Sequence, residues 1–219
     1  MEGGFITELR QKIIQTSLLL FEKDGFHGVT VNQIVEKVGT SKGGFYHHFI
    51  SKDELLFVIH DTFISYVLEK AIIANETYDS PTKKLEAIVK DFVKVFDLYK
   101  PHISVFYQES IYLKPQYEQL VKRKRDQFKQ LIIEAIKEGK ASGEFRQDMS
   151  VEITGMAILG MVNWTYKWYK QDGKKSIDEI GDIFVDLILR SVLSEEMLSR
   201  DNNCHDLVNK DAFFTQKGN

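Results

Sequence analysis

The sequence predicts an all-α fold of about nine helices. The chain has 219 residues but only three prolines, and proline is the residue that most readily interrupts a helix. Val, Ile and Leu recur three and four residues apart over long windows, which is the spacing that places side chains on one helix face. We expect a small three-helix domain over residues 1–50, a larger helical domain over residues 51–198, and a polar tail over residues 199–219.

Three helices are predicted within the first fifty residues. The first ends at Gly25 and Phe26, because glycine readily adopts the left-handed conformation that closes a helix. Thr30 caps the second helix with its hydroxyl. The third begins near Ser41, and the small domain closes near Phe49. The apolar faces of the first two helices comprise Leu9, Ile13, Leu20, Phe21, Val31, Ile34, Val35 and Val38.

Cap and breaker residues divide the remaining chain into six further helices. These helices begin at Ser51, Ser80-Pro81, Pro101, Pro115, Ser150 and Ser176. Pro81 suits a first helical position because the amide that it lacks has no partner there. Gly139 and Gly143 are expected to close the helix that follows Pro115. The helix capped by Ser150 should run to about Tyr169, and Ser176 with Glu179 forms a capping box for the last long helix.

Composition limits what the protein can be. Apolar residues make up 43% of the chain, and the net charge of −3 provides no overall electrostatic case for nucleic acid. Cys204 is the single cysteine, which rules out an internal disulfide framework. The longest apolar runs fall far short of the roughly 20 residues that cross a bilayer, and residues 1–20 lack the apolar block of a secretory signal. We expect a soluble, cytoplasmic protein that does not contact a membrane.

The sequence carries no arrangement typical of an enzyme. Cys204 and His205 are neighbours in the tail, and adjacency in sequence does not place a base beside a nucleophile. His47 and His48 are also adjacent, so on a helix they point about 100° apart and cannot bind one metal ion together. There is no phosphate-binding glycine loop. We therefore expect no catalytic residues, no metal site and no cofactor.

The segment from Val38 to Phe49 has the features of a DNA-reading helix. Such a helix needs small residues that let the backbone approach the major groove and a few donors for bases and phosphates. Phe45 and Phe49 lie four residues apart and should face inward, while Tyr46 faces outward. Thr30 and Lys52 stand at helix N-termini, which favour phosphate oxygens. The predicted DNA-binding residues are Thr30, Thr40, Ser41, Lys42, Gly43, Gly44, Tyr46, His47 and Lys52.

Taken singly, each of these features is also common in ordinary turns, solvated histidine pairs and helix starts. Their order and spacing are more specific, because over residues 9–56 they resemble the DNA-binding domain of the TetR family of bacterial transcriptional regulators. The residues that carry the resemblance are Ile13-Ile14, Leu20-Phe21, Gly25-Phe26, Thr30-Val31, Ile34, Gly39, Ser41-Lys42-Gly43, Tyr46, Phe49, Lys52 and Leu55. Thr16-Ser17, Val35 and Gly44-Phe45 depart from the usual pattern. The resemblance implies an N-terminal DNA reader and a C-terminal domain for ligand binding and dimerisation.

The charge of the reader suggests that one copy binds DNA weakly. Between Met1 and His60 there are six Lys and Arg residues and seven Asp and Glu residues, so this segment carries a charge of −1. Modest non-specific affinity follows, because phosphate contacts supply most of it. We therefore expect a homodimer whose two readers bind one palindromic operator together.

The larger domain is expected to bind a hydrophobic small-molecule effector. Its middle helices are rich in aromatic residues, which form either a packed core or the wall of a cavity. The segment from Asn163 to Lys170 resembles the penultimate helix of TetR-family regulators of fatty-acid and sterol catabolism, whose effectors are acyl-CoA thioesters. The predicted effector-binding residues are Phe92, Phe96, Phe106, Tyr107, Phe128, Asn163, Trp164, Lys167 and Trp168.

Basic residues near these segments allow two interpretations. The run from Lys122 to Arg125, or Lys167 with Lys170, would meet the phosphates of such an effector. Alternatively, the run is a solvated helix face and the tryptophans belong to the core or to the dimer interface. Two other functions compete with this one. The protein is a regulator of efflux that responds to a drug-like hydrophobic compound, or it is a helical protein-interaction module.

The last two long helices are expected to form the dimer. They carry more apolar residues than one buried face of each needs, and two such pairs would pack as a four-helix interface. The residues in question are Ile153, Met156, Ile158, Leu159, Val162, Ile180, Ile183, Phe184, Leu187, Ile188 and Val192. The expected activity is repression that ends when the effector binds.

Overall fold

The computed structural model describes residues 2–200, and side chains within residues 8–199. The helices are α1 (Glu2–Gly28), α2 (Val31–Val38), α3 (Lys42–His48), α4 (Lys52–Thr77), α5 (Pro81–Leu98), α6 (Lys100–Glu109), a 3₁₀ turn (Ser110–Tyr112), α7 (Pro115–Ser142), α8 (Val151–Asn163), α9 (Thr165–Trp168), α10 (Ile177–Val192) and α11 (Glu195–Arg200). The predicted all-α class is confirmed. In the described range the nine longest helices are the predicted ones, and α9 and α11 are short additions. The predicted tail lies outside the described residues from position 201 on.

The helix starts follow the predicted caps. Thr30 forms a capping box with Gln33, because its Oγ1 accepts a hydrogen bond from the Gln33 amide at 3.3 Å while the Gln33 side chain accepts one from the Thr30 amide at 2.7 Å. Ser51 accepts from the Glu54 amide at 3.1 Å. The box between Ser176 and Glu179 is present as well. Backbone donors at these helix starts are thus satisfied locally.

The first predicted helix end is a break inside α1, because Gly25 has a φ of 71° and a ψ of 159° while α1 continues to Gly28. Two other predicted helix ends differ in the structure. Gly139 lies inside α7, and the helix continues to Ser142 before Gly143 adopts a φ of 78°. Gly139 is needed for another reason: a Cβ at this position would lie 2.1 Å from the ring of Phe145, which is fully buried. The helix that begins after Ser150 ends at Asn163, and α9 follows it after a break at Trp164. Gly139 is therefore needed because it leaves room for the Phe145 ring, and not because it ends the helix.

The described residues divide into two compact units. The first unit comprises Met1–Glu69 and Leu98–Phe128, and the second comprises Lys70–Asp97 and Lys129–Asn219. Both α4 and α7 contribute residues to each unit. The core of the reader, defined as α1 to α3, contains the fully buried side chains Ile13, Leu18, Phe21, Ile34, Phe45 and Phe49.

In the second unit α5 and α10 are joined by charge pairs and close packing. Lys90 Nζ lies 3.0 Å from Asp182 and Lys94 Nζ lies 3.3 Å from Asp178. Gly181 faces Val93, and a Cβ at this position would make an ordinary van der Waals contact at 3.8 Å. None of the helices in the described part of the chain is long and apolar enough to span a bilayer.

Candidate functional site

Helix α3 is held on the reader by its apolar side and presents its polar side to solvent. Ser41 caps the helix by accepting a hydrogen bond from the Gly44 amide at 3.1 Å. Phe45 and Phe49 are buried and their ring centroids lie 5.7 Å apart, as their spacing predicted. Tyr46 projects outward with 52% of its surface exposed. The helix can therefore approach another surface without losing its own anchorage.

Most of the predicted DNA-binding residues lie on the accessible surface. Thr40 lies close over Gly44, where a Cβ would be 2.5 Å from the Thr40 hydroxyl, so only glycine fits without a shift. The exposed members are Thr30, Ser41, Lys42, Gly43, Tyr46 and His47, and the half-buried members are Thr40, Gly44 and Lys52. The small residues thus leave the start of α3 unobstructed. Their contact with DNA stays a prediction.

Lys52 has a structural role that the sequence did not reveal. Its ammonium donates hydrogen bonds to the carbonyl oxygens of Phe26 at 2.7 Å and Val29 at 2.6 Å. It also lies 4.2 Å from the centroid of the Phe26 ring. Burial lowers the pKa of Lys52, while the charge of Asp53 opposes this shift. The ammonium therefore satisfies carbonyl groups at the end of α1. Of the phosphate contact predicted at Lys52, only the part made by the backbone amides at the start of α4 stays a prediction.

Arg10 is a further cation near α3 that sequence analysis missed. Its guanidinium lies 5.3 Å from the centroid of the Phe49 ring, and the adjacent rings of His47 and His48 are 5.1 Å apart. Burial, followed by the charges of His47 and Arg10, lowers the pKa of His48. These three side chains form a cluster at the C-terminal end of α3, in which Arg10 carries the positive charge. No spacing rule connects residue 10 with residue 49, so only their packing identifies the cluster.

The reader also contacts the segment that joins α6 to α7. The Tyr112 ring stacks on Phe26 at 6.2 Å and meets His27 edge-on at 4.2 Å. Lys114 Nζ forms a 3.0 Å ion pair with Asp53 at the start of α4. Residues 112–114 thus touch both the end of α1 and the beginning of α4. A displacement of this segment would therefore change its contacts with α1, which belongs to the reader.

Three predicted effector residues lie in the first unit. Phe106 and Phe128 are buried, and Tyr107 is half-buried with its ring 5.3 Å from that of Phe106. Phe106 packs edge-on against Phe63 of α4 at 4.6 Å. An aromatic layer between α4 and α6 follows from these contacts, and we define it by His60, Phe63, Tyr66, Tyr99, His102 and Phe106.

The other predicted effector residues lie in the second unit. Phe92 and Phe96 are buried with their rings 5.8 Å apart. Asn163 is half-buried, whereas Trp164, Lys167 and Trp168 are exposed. The nine residues therefore form two groups, one in each unit. Whether one ligand contacts both groups stays a prediction.

A cavity of about 320 Å³ lies in the second unit between the loop after α9 and helix α10. Trp168 is the one predicted effector residue in its lining. The loop is anchored because the Tyr169 hydroxyl donates to Asp97 at 2.6 Å. Burial, with this hydrogen bond and the Asp97 charge, raises the pKa of Tyr169 to about 12. The lining residues are Trp168, Tyr169, Lys170, Gly173, Lys174, Lys175, Ile180, Ile183 and Phe184.

The basic run on α7 divides into two kinds of side chain. Lys124 donates to Asp61 and to Ser65, both on α4, so it holds two helices of the first unit together. Arg125 is exposed and its guanidinium lies 5.9 Å from the Phe106 ring. Lys122 and Arg123 are exposed. The run is thus partly a structural contact and partly a solvated face.

The last two long helices each expose large apolar side chains, which together we call the apolar stripe. On α8, Ile153 is 70% exposed, and Trp164, the residue after its last turn, is 61% exposed. Gly160 lies between them and has no neighbouring side chain within 4 Å of a Cβ position. We define this stripe by Ile153, Met156, Met161, Trp164, Ile183 and Leu187. The predicted dimer residues Ile158, Val162, Ile180, Ile188 and Val192 are instead buried within the chain, because they form the inward faces of α8 and α10.

Among the described residues no group of three or more His, Cys, Asp or Glu side chains is arranged to hold a metal ion. Cys204 and His205, which the sequence excludes as a catalytic pair, lie outside the described range.

Two family models match the chain. The model described as "Bacterial regulatory proteins, tetR family" matches residues 13–59, and the model "Tetracyclin repressor-like, C-terminal domain" matches residues 78–192. The first covers α2 and α3 with most of α1, and the second begins just before α5 and ends with α10. These matches include both the candidate DNA-reading surface and the apolar stripe.

Individual relatives span nearly the whole chain. The HTH-type transcriptional repressor KstR2 of Mycolicibacterium smegmatis is 23% identical over 189 residues, which cover 85% of this chain and 92% of the relative. The solved ketosteroid transcriptional regulator KstR2 of Mycobacterium tuberculosis has a TM-score of 0.77 at 19% identity and covers 85% of this chain and 95% of that one. The structure of AibR in complex with isovaleryl coenzyme A and operator DNA has a TM-score of 0.70 at 22% identity, with coverage of 82% and 97%.

Proposed function

The chain belongs to the TetR family of bacterial regulatory proteins, and on this premise we propose that it is a homodimeric repressor which a hydrophobic effector, a fatty acyl-CoA, releases from a palindromic operator. As a member of this family it is a DNA-binding regulator and not an enzyme. Repression is supported by the KstR2 relatives, which are named transcriptional repressors. A regulator of this kind acts in the cytoplasm, where its operator is accessible.

The observation that carries the proposal is the exposed polar side of α3. Tyr46 and Lys42 project from a helix whose opposite side is anchored by Phe45 and Phe49. A phenolic hydroxyl can donate to a phosphate, and a lysine can pair with a phosphate or a guanine. The small residue Gly43 between them permits close approach to the major groove. The Arg10 guanidinium adds positive charge at the other end of the helix.

A gel-shift titration with the native operator tests this role. Tyr46→Phe and Lys42→Ala should each weaken binding by about 1 to 3 kcal/mol, because each removes one close contact. The matched controls are Tyr78→Phe and Lys23→Ala, which change exposed residues of the same types elsewhere. Unchanged binding of both α3 variants would refute the assignment of α3 as the reading helix.

The apolar stripe on α8 and α10 supports the homodimer. A patch of this kind is unusual on the surface of a monomer, and a twofold axis would pair it with its own copy. In the dimer two readers bind one operator together. This compensates for the weak DNA affinity that the slightly acidic charge of a single reader predicts. Leu187→Glu should give a monomer in analytical ultracentrifugation, while Leu98→Glu, at an exposed leucine outside the stripe, should leave a dimer. A wild-type protein of monomeric mass would refute the dimer.

Three features support a fatty acyl-CoA as the effector. The aromatic side chains of α5 and α6 suit an apolar chain, the segment from Asn163 to Lys170 resembles that of acyl-CoA-responsive regulators, and the AibR structure of the same fold holds an acyl-CoA together with operator DNA. Lys170, Lys174 and Lys175 around the second-unit cavity could meet phosphates. Long-chain acyl-CoA should release the operator complex at micromolar concentration, and free CoA should not. Absence of release would exclude this effector class.

Release requires that effector and DNA favour different arrangements of the reader. Half-sites are separated by the DNA repeat of about 34 Å, so a shift of a few Å in the reading helices weakens binding. Helix α4 begins at the reader and extends to Thr77, and residues 112–114 touch the reader directly. We assign these two elements as the route of coupling. Effector and operator then weaken each other by the same factor.

A further inference from the structure

His60 is a fully buried polar residue within the aromatic layer of the first unit. It lies on α4 with 0% of its surface exposed, and its ring centroid is 5.0 Å from that of Phe106. The Nδ1 atom lies 2.9 Å from the carbonyl oxygen of Leu56, one helical turn earlier. The Nε2 atom is buried and has no hydrogen-bond partner. One side of the imidazole is thus satisfied by its own helix, and the other side is not.

The contact with Leu56 favours one tautomer. A carbonyl oxygen can only accept, so the 2.9 Å contact is a hydrogen bond when Nδ1 carries the proton. Burial lowers the pKa of His60 to about 4, against the opposing effect of the Leu56 and Phe106 carbonyl groups and together with the charge of Arg125. The ring is therefore neutral near pH 7, and in this tautomer Nε2 holds a buried lone pair without a donor. What is missing at Nε2 is a hydrogen-bond donor.

The surroundings restrict which donor can fill this position. Phe106, which packs against the His60 ring, and Phe63, which packs against Phe106, offer no hydrogen-bonding side-chain atoms. The Phe106 carbonyl also faces the ring, but it is an acceptor. An ammonium group would be unfavourable in this aromatic layer, where the Arg125 guanidinium already lies 5.9 Å from Phe106. A thioester or a hydrocarbon chain has no donor. A neutral hydroxyl group combines a donor for Nε2 with compatibility with apolar walls.

We propose that the Nε2 atom of His60 accepts a hydrogen bond from a hydroxyl group on the apolar part of the effector. The inference rests on the proposed function, since it identifies a feature of the same ligand. It makes the effector a hydroxylated acyl-CoA rather than a plain one. It also makes His60 a specificity-determining residue, because a buried acceptor without a donor disfavours the ligand that lacks the hydroxyl.

Two matched ligand pairs test this specificity in operator-release titrations. The pairs are palmitoyl-CoA with 3-hydroxypalmitoyl-CoA, and oleoyl-CoA with ricinoleoyl-CoA, which carries one hydroxyl at carbon 12. For the wild type, the hydroxylated member of at least one pair should release the operator at about tenfold lower concentration, which corresponds to about 1.4 kcal/mol. His60→Leu should remove this preference while operator binding remains. The control Phe63→Leu, which changes the same layer without touching the nitrogen, should keep it.

The outcomes separate the inference from the proposed function. Equal release by both members of both pairs, or a preference that survives in His60→Leu, overturns the inference and leaves the acyl-CoA proposal intact. If no acyl-CoA releases the operator, the proposed effector class is wrong. The inference is then decided by NMR of ¹⁵N-histidine-labelled protein titrated with ricinoleic acid, in which an unmoved His60 Nε2 resonance overturns it.

The same NMR experiment provides an independent check on the ligand-free protein. His60 should show the Nδ1–H tautomer, with the Nε2 resonance of an unbonded nitrogen, and His60→Gln should identify the signal by its loss. An Nε2–H tautomer overturns the inference. A resonance that is already hydrogen-bonded without ligand, as water alone would produce, overturns it as well.

Discussion

Replacing Lys52 with methionine should destabilise the reader without removing a contact to DNA. The ammonium of Lys52 donates to the Phe26 and Val29 carbonyl groups at 2.7 and 2.6 Å, and it lies over the Phe26 ring. Methionine keeps most of the apolar stem but offers no donor. Two carbonyl groups at the end of α1 then lose their partner, and α4 loses its connection to that end.

The size of the effect follows from these contacts. A hydrogen bond to a charged group contributes about 1.5 to 3 kcal/mol to stability, and the half-exposed site allows water to compensate in part. A loss of roughly 2 to 3 kcal/mol is therefore expected. For a chain of this length each kcal/mol lowers the melting temperature by about 2 to 4 °C, so the decrease should be roughly 4 to 12 °C.

Thermal unfolding followed by circular dichroism measures the loss, and operator titrations at several salt concentrations measure phosphate contacts. At a temperature where both proteins are folded, Lys52→Met should keep the wild-type dependence of log K on log salt. The control Lys37→Met changes an exposed lysine of α2 and should melt like the wild type. The reasoning fails if Lys52→Met melts normally and its salt slope falls by about 0.9 for each reader, which is the signature of a lost phosphate contact.

Three further predictions concern other parts of the molecule. Arg10→Gln should reduce the salt slope of operator binding by about 0.9 for each reader, whereas Lys12→Gln, on the same helix, should leave it unchanged. Gly139→Ala should lower the free energy of unfolding by about 3 kcal/mol in urea titrations, since its Cβ would collide with the Phe145 ring; wild-type stability would contradict the packing. Burial lowers the pKa of His102 to about 4, so the unfolded chain binds a proton that the folded one does not as the pH falls from about 6.5 to 4. Acidification over that window should cost the wild type up to about 3 kcal/mol more than His102→Gln, and parallel pH profiles would refute this.

The agreement between the predicted and observed helices has a local cause. Thr30, Ser51 and Ser176 cap their helices because each hydroxyl bonds to an amide only three residues away. The inward position of Phe45 and Phe49 follows from helical periodicity alone. Gly139 was misinterpreted as a helix end because glycine indicates both chain termination and close packing. The distinction depends on Phe145, whose ring occupies the space that a side chain would need.

The candidate site shows a similar division. Which residues of α3 face outward could be predicted, because the pattern lies within seven consecutive residues. The partners of Lys52, Arg10 and Tyr112 could not, since each joins segments that are distant along the chain. For the same reason the sequence did not reveal which of the predicted dimer residues the chain itself buries. Helices α8 and α10 have apolar residues on two faces, and periodicity does not tell which face the chain covers.

The order of residues along the chain was therefore sufficient for the fold class, the helix caps and the outward side of α3. All of these depend on interactions within about one helical turn. It was not sufficient for the function of individual charged and polar groups. Lys52 stabilises the end of α1 and His60 holds an unpaired nitrogen in an aromatic layer, and neither role has a signal nearby in the sequence. Such roles arise when packing brings distant segments together and removes water from the groups between them.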